Sequence, residues 1–261
     1  MAPRPETQRR STAFSKPHTL CEIGIDTISF LKTTEIHISI TISLPIRLLA
    51  IMHNITFIST IHEEIGNCNA EELYKIIEKL SPEIIFLEAI DGTYSEYEKY
   101  LFSEYGEYHK KLEISAIQRY SSNTTFEYVP VCENGLSDAF DRKKKIVLEN
   151  RERQKMIENF KYLAAENGFK FLNSLESINL LEEIRMLESR VLNSEVDKMV
   201  KAAIDAYENS MIRNIYSYCN NNHFSSAIFM CGAAHRKSII EKIEKSKIEE
   251  QVNLTWTIFQ N

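Results

Sequence analysis

Glycine is scarce in this chain, with seven in 261 residues. So few disfavour Gly-rich phosphate loops and all-β folds built from many tight turns. A basic surplus is missing too. Against 37 Asp and Glu stand 31 Lys and Arg, a formal charge of −6, which argues against a dedicated nucleic-acid binder. Cysteine occurs five times (Cys21, Cys68, Cys132, Cys219, Cys231), and no two fall at CxxC spacing. An odd count without that spacing suits small buried thiols in a reducing, cytoplasmic compartment better than a disulfide scaffold or a zinc knuckle. There is no internal repeat and no low-complexity tract. A hydrophobic fraction of 43% and a charged fraction of 26% are those of an ordinary globular chain, long enough for a real core.

The totals hide an asymmetry. Residues 1–51 carry net +2 and four of the six prolines, which leaves −8 on the remainder. The first twenty residues have no hydrophobic periodicity and read as a disordered tail. Ile36–Met52 is apolar, but His37, Pro45 and Arg47 break it, so no stable membrane span is expected. It also lies too far from the start, without a small-residue cleavage site, for an ordinary signal peptide. Three readings fit: a loosely attached extension, a weak membrane or targeting element, or upstream sequence that is not part of the working protein. Met52 directly precedes the first strand pattern, which favours the third. The expected division is therefore 1–51, a poorly structured extension, and 52–261, one α/β domain.

From there the pattern alternates. Asn54–Thr60 reads as a buried strand. After the loop at Gly66, Asn69 caps a helix in a box-like pattern with Glu72, and Leu73, Ile76, Ile77 and Leu80 form its apolar stripe. Ser81-Pro82 stops that helix, and Ile84–Leu87 is a second strand closed by Glu88. This βαβ unit predicts two parallel neighbours, with His62 and Glu88 at the carboxyl edge where ligand sites form. Tyr94–Tyr120 reads as helical and partly exposed, either a homodimer face or a lid. Phe126–Val131 is a third strand, and Asp141–Asn167 one long helix with Gly168 as its C-cap. Helices over Leu175–Val191 and Glu195–Cys219 follow, then strand Ala227–Cys231, a turn through His235 into a helix, and an edge strand Leu254–Phe259. The fold class is α/β, a central largely parallel or mixed sheet flanked by helices.

Three residues stand out for chemistry. His62 and His235 each come shortly after an apolar strand, and Glu88 ends one. A carboxylate closing IIFL is costly to bury unless paired, hydrogen-bonded or metal-bound. Each alone is equally well a polar residue where its strand reaches water. At one sheet edge, with Arg213 and Asn214 on the helix upstream, they make a plausible site. The order STIH (Ser59–His62), SPEIIFLE (Ser81–Glu88), MIRN (Met211–Asn214) and CGAAH (Cys231–His235) resembles the TraB/Tiki superfamily, with erythromycin-esterase-like and ChaN-like proteins as distant relatives. Members are similar in two Gly-x-x-His motifs, a Glu after the second strand and an Arg-Asn or Arg-Asp helix. Gly232–His235 matches the motif fully, whereas Ser59 stands where the first motif has Gly. The resemblance spans about Asn54 to Phe259.

It implies a divalent-metal-dependent hydrolase, peptidase-like in Tiki-type members, acting on a small-molecule or peptide substrate. His62, Glu88 and His235 would hold Mn, Co or Zn, with a position left open for water. Arg213 would bind a carboxylate or developing oxyanion, Asn214 would orient a ligand, and Glu63 and Glu64 are acid–base candidates. Two alternatives stay open. One is a metal-independent esterase in which Glu88 orients His62 as general base. The other is a non-catalytic haem- or metal-binding protein.

Overall fold

Parallel pairing governs this structure, a computed structural model that describes residues 53–90, 110–133, 138–249 and 254–260. The chain divides into Met1–Ile46 and Arg47–Asn261, and every described residue belongs to the second unit. The readings made for 1–51, and for Tyr94 to His109 of the Tyr-rich stretch, lie outside the described residues. Five strands form one sheet: β1 (His53–Thr60), β2 (Ile84–Ile90), β3 (Glu127–Cys132), β4 (Ser226–Gly232) and β5 (Leu254–Ile258). Their order is β3-β2-β4-β1-β5 and all four pairings are parallel. The expected α/β architecture is present, and the sheet is parallel rather than mixed.

One expectation is corrected. β1 and β2 run parallel but are not neighbours, because β4 lies between them, with Phe229 level with Phe57 on one side and Phe86 on the other. A short βαβ unit says that its strands are parallel, and it cannot say that a strand 140 residues later will enter between them. The composition of β4 explains its central place. Every residue from Ala227 to Gly232 is buried, as expected of a strand covered on both faces.

The helices are α1 (Ala70–Leu80), α2 (Leu112–Ser121), α3 (Asp138–Val147), α4 (Arg151–Leu172), α5 (Leu175–Val191), α6 (Ser194–Asn221) and α7 (Arg236–Glu249), the last entered through a 3-10 turn, Ala233–His235. Successive strand side chains alternate between faces. Ile58, Ile85 and Ile228 pack with Leu73 and Ile77 of α1 and Leu112 and Ile117 of α2. Phe57, Phe86 and Phe229 pack on the other face with Met211 and Ile215 of α6 and Ile239 of α7. Asn69 caps α1 by accepting from the Glu72 N–H, and Ser81 ends it in the left-handed region at φ 44°. The four described cysteines are buried and free, as expected of structural thiols.

Two helical expectations change. Leu112–Gln118 is buried throughout, so this part of the Tyr-rich stretch is core rather than exposed surface. Asp141–Asn167 is two helices, broken where Asn150 accepts from the Arg153 N–H to start α4. Gly168 does take a left-handed φ of 59°, but helical structure resumes after it and runs on to Leu172. The break leaves carbonyls of the preceding turn to other donors. The β1–α1 loop supplies them: Asn67 N to Ala165 O at 2.8 Å, Asn67 Nδ2 to Glu166 O at 2.7 Å, and Cys68 Sγ to Ala164 O at 3.3 Å. Gly66 makes the close approach: a Cβ there would lie 2.5 Å from Ala165 O.

Behind the carboxyl edge of β1 lies a buried guanidinium. Arg236 Nη1 donates to Ser59 Oγ at 3.1 Å and Asn173 Oδ1 at 2.8 Å; Nη2 donates to Asn173 O at 3.0 Å and Phe259 O at 2.9 Å. Asn173 also receives the Ser59 N–H at 2.8 Å and donates to Ser59 O at 3.1 Å, which continues the sheet ladder past the end of β5. Among the described residues no carboxylate pairs with Arg236, and burial pushes its pKa down to about 10. Ser59 thus has a structural use, since its hydroxyl accepts from this cation. Asn173→Ala removes an acceptor from both the guanidinium and the Ser59 N–H. Urea unfolding is expected to show a loss of about 3 kcal/mol, since unpaired buried polar groups cost ~1–3 kcal/mol each. A loss under about 1 kcal/mol would mean the network is dispensable.

Candidate functional site

All strands point one way, so Thr60, Glu88, Cys132 and Gly232 reach the same edge of the sheet. Thr60 is level with Gly232 across the β1–β4 pair, and a register irregularity interrupts β2 between Leu87 and Ile90, around Glu88. Three of the residues singled out in the sequence meet here. A Cβ placed on Gly232 would lie 3.4 Å from Glu88 Oε2, 3.8 Å from His235 Cδ2 and 3.9 Å from His62 Nε2. His235 Nε2 is 3.6 Å from Glu88 Oε1.

Each imidazole is anchored through its other nitrogen. His62 Nδ1 donates to Glu113 Oε1 at 3.0 Å, an oxygen that also accepts from Thr60 Oγ1 at 2.7 Å. His235 Nδ1 donates to Glu208 Oε1 at 2.8 Å, and Glu208 Oε2 accepts from Ser238 Oγ at 2.5 Å. A carboxylate only accepts, so each Nδ1 carries the proton, and in the neutral ring Nε2 carries the lone pair. The two histidines differ in access: the His62 side chain is 54% exposed and that of His235 11%.

Glu88 sits on donors. Its Oε2 accepts from the Gly232 N–H at 2.7 Å and the Cys231 thiol at 3.2 Å, and Oε1 from the Tyr207 hydroxyl at 3.1 Å. Burial acts to raise its pKa. His235, the Gly232 N–H, His62 and the thiol outweigh that, and the net direction is down, so the carboxyl stays ionised. Burial first, then the charge of Glu88, pushes the Cys231 thiol and the Tyr207 hydroxyl well up, which keeps both as protonated donors. His62 is raised, first by its hydrogen bond to Glu113 and then by the charges of Glu113 and Glu88, against burial.

The donor set suits a divalent ion in kind: two imidazole nitrogens, one carboxylate, and a glutamate behind each ring, as ligating histidines usually have. Among the described residues, however, no three His, Cys, Asp or Glu stand at metal-binding spacing. The other residues singled out lie elsewhere. Arg213 is exposed on α6 and pairs with Glu133 at 2.6 Å, and Asn214 Nδ2 donates to Val131 O at 3.0 Å, tying α6 to β3. Glu63 is exposed on the wall of a cavity beside His62, and Glu64 accepts from the Ala70 N–H at the start of α1.

No family profile and no curated protein matches the sequence. A solved structure of an erythromycin esterase mutant in its open conformation is similar at 12% identity, over 77% of this chain and 59% of that one. Its TM-score is 0.24, too low to equate the two folds.

Glu113, Tyr207 and Glu208 are the site residues that sequence reasoning missed. Glu208 left a signal: it falls on the buried stripe of α6 with Met211 and Ile215, where a carboxylate must have a partner. Glu113 left none, because α2 is buried on nearly every side and has no polar phase to violate.

In chelator-treated protein, His62 is expected to titrate above 6.5 by histidine-resolved NMR, and Glu113→Gln to lower that value. A raised folded pKa stabilises below the unfolded value of about 6.5 and loses its effect as pH rises through the folded one. The stability gap between wild type and Glu113→Gln should therefore narrow with rising pH. An unchanged His62 titration in the variant would show that the pair does not set it.

Proposed function

We propose that the chain is a hydrolase of ester or amide bonds, with its reacting water held between His62, Glu88 and His235. One observation carries the reading. Two acceptors, Glu88 Oε2 and His62 Nε2, lie 3.4 and 3.9 Å from the point a Gly232 Cβ would occupy, and a third, His235 Nε2, lies 3.6 Å from Glu88 Oε1. Acceptors alone repel one another, so the arrangement calls for a cation or for protons in that space. The resemblance in motif order supports a divalent ion. His62, Glu88 and His235 would hold Mn, Co or Zn, and such an ion supplies a water of lowered pKa and a polarised carbonyl. Glu113 and Glu208 keep each Nδ1 protonated and both Nε2 atoms turned inward. In this reading Glu63 is the nearby base, while Arg213 and Asn214 act on substrate only if their contacts with Glu133 and Val131 open.

The spacing of the three side chains and the donors already on Glu88 favour a second, metal-independent esterase reading. Protons then take the cation's place. His62, open to solvent, accepts the proton of the attacking water at Nε2, and Glu113 rather than Glu88 orients the ring. His235 and Glu88 hold the opposite side of the reacting group.

Metal analysis of purified protein, with ester and anilide hydrolysis measured before and after chelation, separates the readings. Stoichiometric Mn, Co or Zn lost in both His62→Ala and His235→Ala, with activity lost on chelation, supports the first. Hydrolysis that survives chelation and fails in His62→Ala supports the second. Bound metal or haem with no hydrolysis on any ester or anilide would sink both and leave a binding protein. Gly232→Ala tests the shared space directly. Its backbone, φ −56° and ψ 138°, suits any residue. Stability should stay within about 1 kcal/mol of wild type, while hydrolysis falls about a hundredfold, the usual cost of displacing a reacting group by ~1 Å. Full activity in this variant would place the chemistry elsewhere.

A further inference from the structure

A cavity of about 370 Å³ opens beside the two histidines. It is lined by His62 and His235, by Ile61 and Ile65 of the β1–α1 loop, Ile157 and Phe160 of α4, and Leu181 of α5. Phe160 is buried against Phe171, with ring centroids 5.3 Å apart, so this wall is firm. Ile61, Ile65 and Leu181 pack on the core but remain only partly covered. Glu63 and Lys161 also line the cavity, and both are exposed. The lining is therefore mainly apolar.

We propose that this cavity is the acyl subsite: it takes an apolar acyl chain of about eight carbons and presents the carbonyl carbon to His62 and His235. The assignment rests on the hydrolase reading and adds a substrate class to it. Size sets the length. At about 30 Å³ per water-sized group, the space holds on the order of twelve non-hydrogen atoms, an octanoyl chain with its ester or amide group. Charge sets the polarity. Buried Glu88 stands directly behind two lining residues, accepting from the Gly232 N–H and lying 3.6 Å from His235 Nε2, so a chain ending in a neutral ester or amide enters more readily than a free carboxylate. The β1–α1 loop that forms one side is held to α4 by Asn67 and Cys68, so the wall is formed before a chain enters.

Calorimetric titration with straight-chain primary amides, acetamide to dodecanamide, reads the subsite without requiring turnover. Affinity should rise up to about fourfold per added methylene, as expected for burial of CH₂ groups, and stop rising near eight carbons. Leu181→Glu should weaken octanamide at least tenfold, while Leu175→Glu, at an exposed position outside the cavity, should leave it unchanged. Chain-length dependence in the wild type needs no variant, so misfolding of Leu181→Glu does not spoil the test. Affinity that ignores chain length, or that climbs without a break to dodecanamide, overturns the subsite even if hydrolysis is found on short acyl groups. Octanamide binding with the expected break, but no hydrolysis of octanoyl esters or anilides, leaves the cavity as a binding site and defeats the hydrolase reading instead.

Discussion

An excess of acceptors at one point of the sheet edge is the constraint that the surrounding structure answers. Glu88 is buried and ionised, so it must sit on donors, and it takes the Gly232 N–H, the Cys231 thiol and the Tyr207 hydroxyl. Two imidazoles turn toward it, and each needs its far nitrogen held, which Glu113 and Glu208 do. Those glutamates are buried in turn and need partners of their own: Thr60 for one, Ser238 and the more distant Lys242 for the other. The demand passes outward until it has enlisted β1, β2, β4, α2, α6 and α7. A buried polar network of this kind is stable only when nearly every member is satisfied.

The fold meets that demand through two features near Gly232. β4 lies between β1 and β2, so residues from three adjacent strands end side by side. The absence of a side chain at Gly232 then leaves a space bordered by Glu88 Oε2, His62 Nε2 and the edge of the His235 ring. Immediately beyond, His235 and Arg236 share the turn into α7 and divide it. His235 faces the site, and Arg236 is buried in the opposite network of Ser59, Asn173 and Phe259. The guanidinium thus anchors the turn that carries the histidine, and Asn173 locks the end of β1 that leads to His62.

Much of this was legible in the sequence, for reasons that differ by residue. His62, Glu88 and His235 could be found because each ends or follows an apolar run, and parallel strands bring such ends together. The α5 boundaries, Leu175–Val191, and the caps Asn69 and Ser81 follow from local chemistry that tertiary packing did not override. The insertion of β4 was not legible, since strand order depends on contacts between segments 140 residues apart. Nor was Glu113, whose helix is buried on nearly every side. Arg213 and Asn214 illustrate the opposite limit: a motif names residue types, and here those side chains hold Glu133 and Val131 at the end of β3.

The balance of charge explains why such a cluster persists. Three glutamates, Glu88, Glu113 and Glu208, have side chains only 8%, 4% and 1% exposed. Facing them are two imidazoles and, at 3.8 Å from Glu208, the Lys242 ammonium. With both rings neutral, the carboxylates outnumber the nearby cations, and packed apolar residues of the same volume would usually serve stability at least as well. Protonating the rings relieves the imbalance at the cost of the Nε2 lone pairs. A cation or a reacting group with a positive edge relieves it while keeping both rings anchored at Nδ1. Of the two rings, His62 is the more open to solvent. His235, held between Glu88 and Glu208, is the less exposed of the two, at 11% against 54%. In the proposed hydrolase, that difference in access would give His62 the mobile proton and His235 the fixed contact.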